Sequence, residues 1–447
     1  MIRIKKGLDL PIAGRPEQVI EDARAVRRVA ILGEDYPGMK PTMLVGVGDT
    51  VARGQPLFSD KKNTGVVYTS PAAGTISTIN RGAKRALLSI VIDVAGDAFV
   101  DFGAVGAEGV GQLDAAAVRE KLLASGLWTA LRTRPFSKVP QRDSQPHSIF
   151  VTAMDSNPLA AAADIIIAEY AVEYATGLDV LAKLTDGPLY MCQEAGKFLP
   201  TGTDPKISVE EFSGVHPVGL AGTHIHFLDP VSESKTVWFV NYQDVIAIGR
   251  LFISGELDNT RILALGGPGA LRPRLLRTVM GASLEELTAG ELSEGDQRVI
   301  SGSVFSGRLV ENPVEFLGRY HLQISILPED RSRRLFGYMT PGADKHSVFP
   351  IYLSSWLGRK EISFSTTTNG SARGMVPIGT FESVMPLDIL ATQLLRSLLV
   401  GDLETAINLG CLELDEDDIA LCTYACPGKY EYGPVLRTVL NQIEKEG

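Results

Sequence analysis

Apolar and polar positions along the first hundred residues alternate in short runs that turn residues interrupt. Over Val45–Ile79 the sequence reads VGVGDTVARGQPLFSDKKNTGVVYTSPAAGTISTI, with a tight turn at Gly48-Asp49. Alternation that glycine, aspartate or proline breaks every few residues is typical of short strands joined by hairpins. A further strand follows over Leu87–Val94. The pattern predicts a small all-β sandwich or barrel, and it resembles the biotinyl/lipoyl carrier fold.

The pattern changes to alternating strands and helices between Ile149 and Val240, which favours an α/β layer. An alanine-rich helix is predicted over Leu159–Ala175 with Gly177 as its end, and an earlier helix runs from an Asp114 N-cap to Gly126. The predicted strands are Ile149–Ala153, Leu189–Cys192, His224–Leu228 and Val237–Val240.

Short strands return after residue 255, and helices end the chain. Arg261–Leu265 is a predicted strand that runs into Gly266-Gly267-Pro268-Gly269, and Arg298–Ile300, Leu309–Val310 and Gln323–Ile326 are shorter ones. In the last segment Pro386 opens an amphipathic helix, Asp402 caps the next, Asp415 and Asp418 form a cap-like pair, and Pro434 opens the last.

These patterns predict a multidomain α+β and α/β chain of five segments. They are a biotinyl/lipoyl-like β barrel-sandwich (1–104), a Rossmann-like α/β domain (105–255), a β-grasp-like domain of the SLBB type (256–330), a basic connector (331–378) and a C-terminal helical domain (379–447). Three or more domains are ordinary for 447 residues.

Composition limits the classes of partner and the cellular compartments that fit this chain. A net charge of −10 argues against nucleic acid, and four cysteines imply a reducing compartment without a disulfide framework. The first residues, MIRIKKGLDLPIAG, lack the apolar core of a signal peptide. No window reaches the roughly 18 uncharged apolar residues of a membrane span. We therefore expect a soluble cytoplasmic chain.

Three cysteines near the end of the chain form a candidate metal site. Cys411, Cys422 and Cys426 precede Pro427, as in iron–sulfur loops, but a cubane needs four thiolates. Zinc would need a histidine, and the nearest in sequence, His346, is remote. We interpret the three as small buried side chains.

Three histidines form a second candidate cluster. On a predicted strand His224 and His226 face the same side, with His216 upstream and Asp229 as the accompanying carboxylate. Structural or partner contact, metal binding and catalysis all remain open for them. Lys61 and Lys62 lack the flank of a modified carrier lysine and are read as a surface turn, and Gly266–Gly269 is read as a turn rather than a phosphate cradle.

Six longer segments resemble one family, the A subunits of the sodium-translocating NADH:quinone oxidoreductases, which are bacterial respiratory pumps. The segments are IKKGLDLPIAG (Ile4–Gly14), SPAAGTI (Ser70–Ile76), NRGAKR (Asn80–Arg85), AGTHIHFLDPV (Ala221–Val231), STTTNGSARGMVPIGTFESVMPLDI (Ser365–Ile389) and CLELDEDDIALCTYACPGKYEYG (Cys411–Gly433).

The resemblance implies membership of a complex that uses FAD, FMN, iron–sulfur centres, ubiquinone and NADH, none of the redox cofactors being held by this chain. Distant relatives carry a glycine-rich flavin loop; at the matching place, Ser125–Phe136, the glycines are replaced by Thr, Ala, Arg and Pro. The cysteines are likewise reduced to three, so the helical domain resembles a degenerate iron–sulfur domain. No catalytic, cofactor or metal residues are expected.

The resemblance further implies a peripheral subunit on the cytoplasmic face of the bacterial inner membrane. Its partners would be the membrane subunits and the NADH-oxidising subunit, with ubiquinone as a candidate ligand and a structural or quinone-side role. Two rival classes are a stand-alone flavin or iron–sulfur oxidoreductase and a carrier-domain protein. Candidate membrane-side or partner contacts are His216, His224, His226, Arg331, Arg333 and Arg334.

Overall fold

The computed structural model describes residues 1–331, 340–358 and 361–446. Its strands are β1 (Ile2–Ile4), β2 (Glu17–Asp22), β3 (Arg28–Leu32), β4 (Pro41–Met43), β5 (Thr50–Val51), β6 (Pro56–Asp60), β7 (Val67–Thr69), β8 (Gly74–Arg81), β9 (Leu87–Val94), β10 (Arg132–Arg134), β11 (Ile149–Thr152), β12 (Leu189–Glu194), β13 (Ile207–Gly214), β14 (Val237–Asn241), β15 (Thr260–Gly266), β16 (Arg274–Val279), β17 (Gln297–Ser301), β18 (Arg308–Leu309) and β19 (Gln323–Pro328).

The helices of the same residues are α1 (Ala115–Ser125), α2 (Ala163–Glu169), α3 (Ala171–Ala182), α4 (Ala221–Leu228), α5 (Tyr242–Ser254), α6 (Leu284–Thr288), α7 (Leu353–Trp356), α8 (Thr380–Val384), α9 (Ala391–Val400), α10 (Leu403–Asn408), α11 (Ala420–Ala425) and α12 (Tyr432–Glu446). Among these helices, none is both long enough and apolar enough to cross a membrane.

The N-terminal alternation forms two small sheets, as predicted. One has the order β3-β9-β8-β5 and the other β4-β6-β7. Gly48 turns the chain between β4 and β5 at a φ of +92°, a conformation that glycine adopts without strain. Phe58 and Tyr68 stack at 4.4 Å and are fully or almost fully buried, so aromatic and branched side chains on the inner faces form the core between the sheets.

The α/β region contains a six-stranded sheet of order β1-β13-β12-β11-β14-β10. All its neighbouring pairs are parallel except β14 with β10. The predicted strands at residues 149, 189 and 237 are confirmed, as is helix α1, where the Asp114 side chain accepts from Ala117 N and Gly126 ends the helix in the left-handed conformation. Helices pack against the sheet, and its central strands are continuous apolar runs, as expected for strands that are buried on both faces.

The predicted strand over His224–Leu228 is wrong, because these residues belong to helix α4. Thr223, His224 and Ile225 are all buried, whereas a half-buried strand would alternate buried and exposed positions. A short apolar run bounded by glycine and proline fits either element by its pattern alone. The surrounding fold decides, because the chain must pass from the end of β13 to the start of the parallel strand β14, and α4 lies on that crossover.

The predicted helix over Leu159–Ala175 is also wrong in its bounds. Leu159 has a φ of +67° and lies in a loop, so the helical region begins only at Ala163. Tyr170 is non-helical and separates α2 from α3. Gly177 lies inside α3 instead of ending it: a Cβ there would lie 2.1 Å from Val245 O of α5. This glycine permits close helix packing, a role that sequence alone does not distinguish from a C-cap.

A second six-stranded sheet has the order β18-β17-β19-β15-β16-β2. It contains the strands predicted at residues 261, 298, 309 and 323, and Gly267 turns the chain out of β15 at a φ of +110°. The first 22 residues do not belong to the small N-terminal sheets, because β1 pairs with β13 and β2 pairs with β16. These residues connect the two larger sheets, and the predicted domain limits remain predictions.

The C-terminal helices pack around a separate apolar cluster. Leu394, Leu395 and Leu398 of α9 are almost fully buried, which confirms the amphipathic face. The helix begins at Ala391, however, and Pro386 lies in the turn that follows α8. Asp402 caps α10 by accepting from Thr405 N, as predicted. Pro434 lies in the first turn of α12, where its missing N–H costs no helical hydrogen bond.

Candidate functional site

A crevice of about 600 Å³ opens at the carboxyl ends of β11, β12 and β13. Loops after these three strands form one wall, and the N-terminal segment around Asp9–Gln18 forms the other. In open sheets with parallel strands, ligands bind in the crevice outside the carboxyl ends of the strands. This position makes the crevice the leading candidate ligand site among the described residues.

Part of the lining of the crevice is apolar. Its residues include Met154, Leu159, Leu199, Phe212 and Val218. Leu159 is the residue with a left-handed backbone in the loop after β11. Non-glycine residues in this conformation are strained and concentrate at functional sites. This backbone conformation places the Leu159 side chain in the wall of the crevice.

The rest of the lining is polar and carries both signs of charge. Asp155 Oδ1 accepts from Asn157 N at 2.8 Å and from Asn157 Nδ2 at 2.9 Å, and within the described part of the chain Oδ2 makes no hydrogen bond. Burial raises the pKa of Asp155 to about 6, although its side chain is only partly shielded from solvent. Lys197 Nζ donates to Asp164 at 2.7 Å across the rim. The crevice therefore combines a carboxyl of raised pKa with a lysine head group.

His216 contacts Ser156, one of the polar residues that line the crevice. Its Nδ1 is 3.0 Å from Ser156 Oγ, which in turn accepts from Gly219 N at 2.8 Å. The ring stacks on Phe305 with centroids 5.0 Å apart and is 1% exposed. Burial lowers the pKa of His216 to about 4, so the ring is neutral. This histidine connects the loop after β11 to the second large sheet and is a structural residue of the site.

The structure separates the three predicted histidines instead of gathering them. His224 Nε2 is 2.9 Å from Val218 O, and burial lowers its pKa to about 4. His226 points to the C-terminal region, with Nδ1 2.8 Å from Glu413 Oε2. Residues two apart on a helix diverge, so the expected shared face does not exist. Across residues 1–331, 340–358 and 361–446, no three His, Cys, Asp or Glu side chains are placed to hold a metal ion.

The predicted basic contact region is described only at its first residue. Arg331 has an exposed side chain that pairs with Asp296 at 3.3 Å, which is a surface interaction. Arg333 and Arg334 lie outside the described residues. The role of these arginines in contacts stays a prediction.

The cysteines are buried, as predicted. Burial raises the pKa of both Cys411 and Cys422 to about 12, so neither is a thiolate at neutral pH. Cys422 lies within α11, whereas Cys426 follows its end and contacts Tyr432 through Sγ and the hydroxyl at 3.2 Å. Neutral thiols packed among apolar side chains are poor metal ligands.

The segment that replaces the flavin loop of distant relatives is filled by its own side chains. Leu127–Ala130 forms a buried 3₁₀ turn, and Trp128 is fully buried against Trp238 with ring centroids 5.3 Å apart. Trp128 Nε1 donates to Pro140 O at 2.9 Å. A Cβ on Gly126 would lie 2.5 Å from Thr69 Oγ1, so the backbone is closely covered. These residues do not fit a flavin phosphate cradle.

The remaining sequence candidates occupy turns. Lys61 and Lys62 are exposed between β6 and β7. Gly266–Gly269 leads from β15 into a turn before strand β16, and no helix N-terminus follows it to bind phosphate. The interpretation of both segments as turns is confirmed.

Sequence reasoning missed an ionic cluster between β10 and the C-terminal helices, which we call the C-terminal latch. It consists of Arg134, Asp415, Asp418 and Arg437. Arg134 is 2% exposed. Its Nη1 donates to Asp418 Oδ2 at 2.7 Å, and its Nη2 lies 3.4 Å from Asp415 Oδ2. Arg437 donates to Asp415 Oδ1 at 2.6 Å. No signal in the sequence links Arg134 and Asp418, which lie 284 positions apart. The predicted capping role of Asp415 and Asp418 is wrong, because the N-cap residue of α11 is Ile419 and that helix has no side-chain cap.

The fold is that of a mixed α/β multidomain protein with a barrel-sandwich N-terminal domain. Three family models match it. They are the NqrA N-terminal barrel-sandwich hybrid domain (residues 2–95), the NqrA second alpha/beta domain (113–257) and the NQRA C-terminal domain (262–312).

Curated relatives match along the whole chain. The A subunit of the Na(+)-translocating NADH-quinone reductase of Saccharophagus degradans is 58% identical over 447 residues, which is 100% of each chain. The proteins of the same name from Yersinia pseudotuberculosis and a Marinomonas species are 57% and 56% identical, also over 100% of each chain. The chain therefore belongs to the NqrA family, the A subunits of the Na(+)-translocating NADH-quinone reductases.

Among solved structures, an NAD+-reducing NiFe-hydrogenase is a distant match. In its air-oxidized state the match covers 76% of this chain and 69% of the hydrogenase chain, with a TM-score of 0.37 and 12% identity. The H2-reduced state gives a TM-score of 0.38, over 78% of this chain and 67% of that one, at the same identity.

Proposed function

We propose that this chain is the peripheral NqrA component of a membrane complex that oxidises NADH, reduces ubiquinone and exports Na+. Identity of 56–58% along the full length to proteins named as that component is the observation that carries the proposal. The chain would lie on the cytoplasmic face of the bacterial inner membrane. Its partners would be the membrane subunits and the NADH-oxidising subunit.

We further propose that the chain holds no redox cofactor of its own. The buried 3₁₀ turn at Leu127–Ala130 and the raised pKa values of Cys411 and Cys422 support this, because the flavin loop is filled and the thiols stay neutral. FAD, FMN and the iron–sulfur centres would then belong to other subunits. We also propose that the parallel sheet is a Rossmann-like layer. The C-terminal helices would then form a bundle derived from an iron–sulfur domain.

The crevice supports a quinone-side role. A quinone ring needs an apolar slot with one or two hydrogen-bond donors at its carbonyls. Leu199 offers partly exposed apolar surface, and Lys197 offers an ammonium group at the rim. Asp155, with a pKa of about 6, donates a hydrogen bond when it is protonated. These features support a quinone head group as the ligand of the crevice.

The test is to add the purified chain back to a complex that lacks it. The wild-type chain should restore quinone reduction and bring no visible chromophore of its own. A Leu199→Glu variant places a charge in the slot and should raise the KM for quinone severalfold without reducing complex yield. Leu271→Glu is the control, because Leu271 is exposed and does not line the crevice.

Two results would contradict the proposal. A flavin or iron–sulfur chromophore in the isolated wild-type chain would show that it carries its own cofactor. Equal quinone kinetics for the Leu199→Glu and Leu271→Glu variants would remove the crevice from the quinone path while leaving membership of the complex intact.

A further inference from the structure

One histidine side chain connects the α/β region to the C-terminal helices through both of its ring nitrogens. His226 lies in the last turn of α4, on the crossover from β13 to β14. Its Nδ1 is 2.8 Å from Glu413 Oε2, and its Nε2 is 3.0 Å from the backbone nitrogen of Asp388. Glu413 ends the 3₁₀ turn Cys411–Glu413, and Asp388 lies in the turn that joins α8 to α9. A single ring therefore contacts two separate segments of the C-terminal helical region.

These two contacts determine which nitrogen of the ring carries a proton. A backbone N–H can only donate, so Nε2 of His226 must accept from Asp388 N and cannot carry a hydrogen while that bond exists. In the neutral ring the hydrogen then lies on Nδ1, which donates it to the Glu413 carboxylate. The contact with Asp388 thus requires a neutral His226.

Protonation of the ring would break one contact and keep the other. The imidazolium carries a hydrogen on both nitrogens, so Nε2–H would face the N–H of Asp388, and two donors cannot bond. Nδ1–H would still donate to Glu413, and that contact would gain the attraction between imidazolium and carboxylate. The carboxyl end of a helix also favours a positive charge. The His226 side chain is 14% exposed, so water can supply the proton.

The other charged groups around α4 do not oppose this proton uptake. Asp418, near the start of α4, pairs with Arg134 at 2.7 Å. Asp229, at the end of α4, pairs with Lys235 at 2.8 Å. Opposite charges within each pair largely cancel at the distance of the ring. The Asp388 side chain belongs to an exposed residue, and its negative charge favours the protonated ring.

The segment that protonation would release is limited to the turn between α8 and α9. The N-cap residue of α9, Leu390, provides no side-chain cap, so the bond from Asp388 N holds the chain just before that helix. The next attachment is the amide of Thr392, which donates to Glu382 Oε1 at 3.2 Å. Burial raises the pKa of Glu382, but hydrogen bonds from Thr392 outweigh this effect and hold the pKa below its usual range. Glu382 therefore stays charged in mild acid and keeps the start of α9 in place.

We propose that His226 is a proton-sensitive contact between α4 and the C-terminal helices. A proton taken up from water at Nε2 releases the turn between α8 and α9, while Nδ1 keeps its bond to Glu413. At higher pH the proton leaves Nε2 and the bond from Asp388 N forms again. The position of this turn thereby depends on pH.

Hydrogen exchange of the Asp388 amide in the full chain tests the proposal, with single-residue resolution from electron-transfer dissociation. The exchange rate is measured at about pH 8 and about pH 5.5, a range over which unperturbed histidine side chains gain a proton. Each rate is divided by the intrinsic rate of a free amide at the same pH, and the Thr392 amide is the internal reference. His226→Gln is the matched variant, because a carboxamide can accept from Asp388 N and donate to Glu413 but does not titrate.

We expect the protection of the Asp388 amide in wild type to fall by about fivefold or more in acid, the loss expected for one hydrogen bond, while Thr392 keeps its protection. In His226→Gln both amides should keep their protection. Equal protection of the wild-type Asp388 amide at the two pH values would overturn the proposal. A loss of the same size in His226→Gln would assign the effect to another titrating group and would also overturn it.

Discussion

At the scale of single residues, the chain buries ionisable groups whose pKa values in the folded chain differ from their ordinary values. His216 and His224 are almost completely buried, and burial lowers the pKa of each to about 4. Their unfolded pKa is higher, so between these values the unfolded chain binds more protons and stability falls as the pH falls. Asp155 acts in the opposite sense: its raised pKa of about 6 makes stability fall as the pH rises through that value. Two fully buried rings should outweigh one partly shielded carboxyl.

The first prediction follows for His224. His224→Gln keeps an N–H near Val218 O but removes the titrating ring, so the drop in melting temperature from about pH 7 to about pH 5 should be smaller than in wild type. Over this pH range the histidine accounts for roughly 2 kcal/mol of the lost free energy of unfolding, since a shift of one pKa unit corresponds to about 1.4 kcal/mol. An unchanged slope in the His224→Gln variant would show that this ring is not held neutral.

At the scale of elements, two glycines set the distance between α3 and α5. A Cβ on Gly249 would lie 1.8 Å from Glu173 O, and one on Gly177 would lie 2.1 Å from Val245 O. Both contacts are with backbone atoms, which cannot move aside without separating the helices. The pair therefore places α5, which follows β14, closely against α3, which precedes β12.

The second prediction is that Gly249→Ala destabilises the protein by about 2 kcal/mol or more, because overpacking forces the helices apart. Gly111→Ala is the control, since a Cβ there meets nothing within 4 Å and the backbone is not left-handed. The control should change the free energy of unfolding by less than about 0.5 kcal/mol. Thermal or urea unfolding checks both, and equal stability of the two variants would contradict the packing account.

The elements also show what sequence patterns capture. Strands with local signals, such as β11, β12 and β15, and caps such as Asp114 and Asp402, were predictable because neighbouring residues determine them. The α4 segment was misassigned because its burial is set by the strands it connects. The crevice was not predictable either, since Asp9, Asp155 and Lys197 approach only after β11 and β12 pair.

At the scale of the whole molecule, the C-terminal latch joins the helices to the α/β sheet. Both Arg134 and Asp418 are almost completely buried, and Arg134 Nη1 also donates to Glu413 O at 2.7 Å. A buried ion pair adds little net stability, but removing one partner leaves an uncompensated charge. The latch therefore fixes where the C-terminal helices sit more than how stable they are.

The third prediction is that Arg134→Leu costs about 3–5 kcal/mol and loosens the C-terminal helices, since Asp415 and Asp418 lose their shared partner. Limited proteolysis should then cut more rapidly within α9–α12 than in wild type. Arg53→Leu is the control, because its pair with Glu256 is partly exposed to solvent and such surface pairs contribute under about 1 kcal/mol. Equal cleavage of the two variants would show that the latch does not hold these helices.

Membership of the sodium-pumping complex is the central claim, and one measurement tests it most directly. The tagged chain is isolated from gently solubilised native membranes and assayed for sodium-stimulated NADH:quinone reduction. We predict that flavin-bearing partner subunits and that activity co-purify with it. Recovery of the chain alone, active in a soluble redox or carrier reaction, would contradict the account.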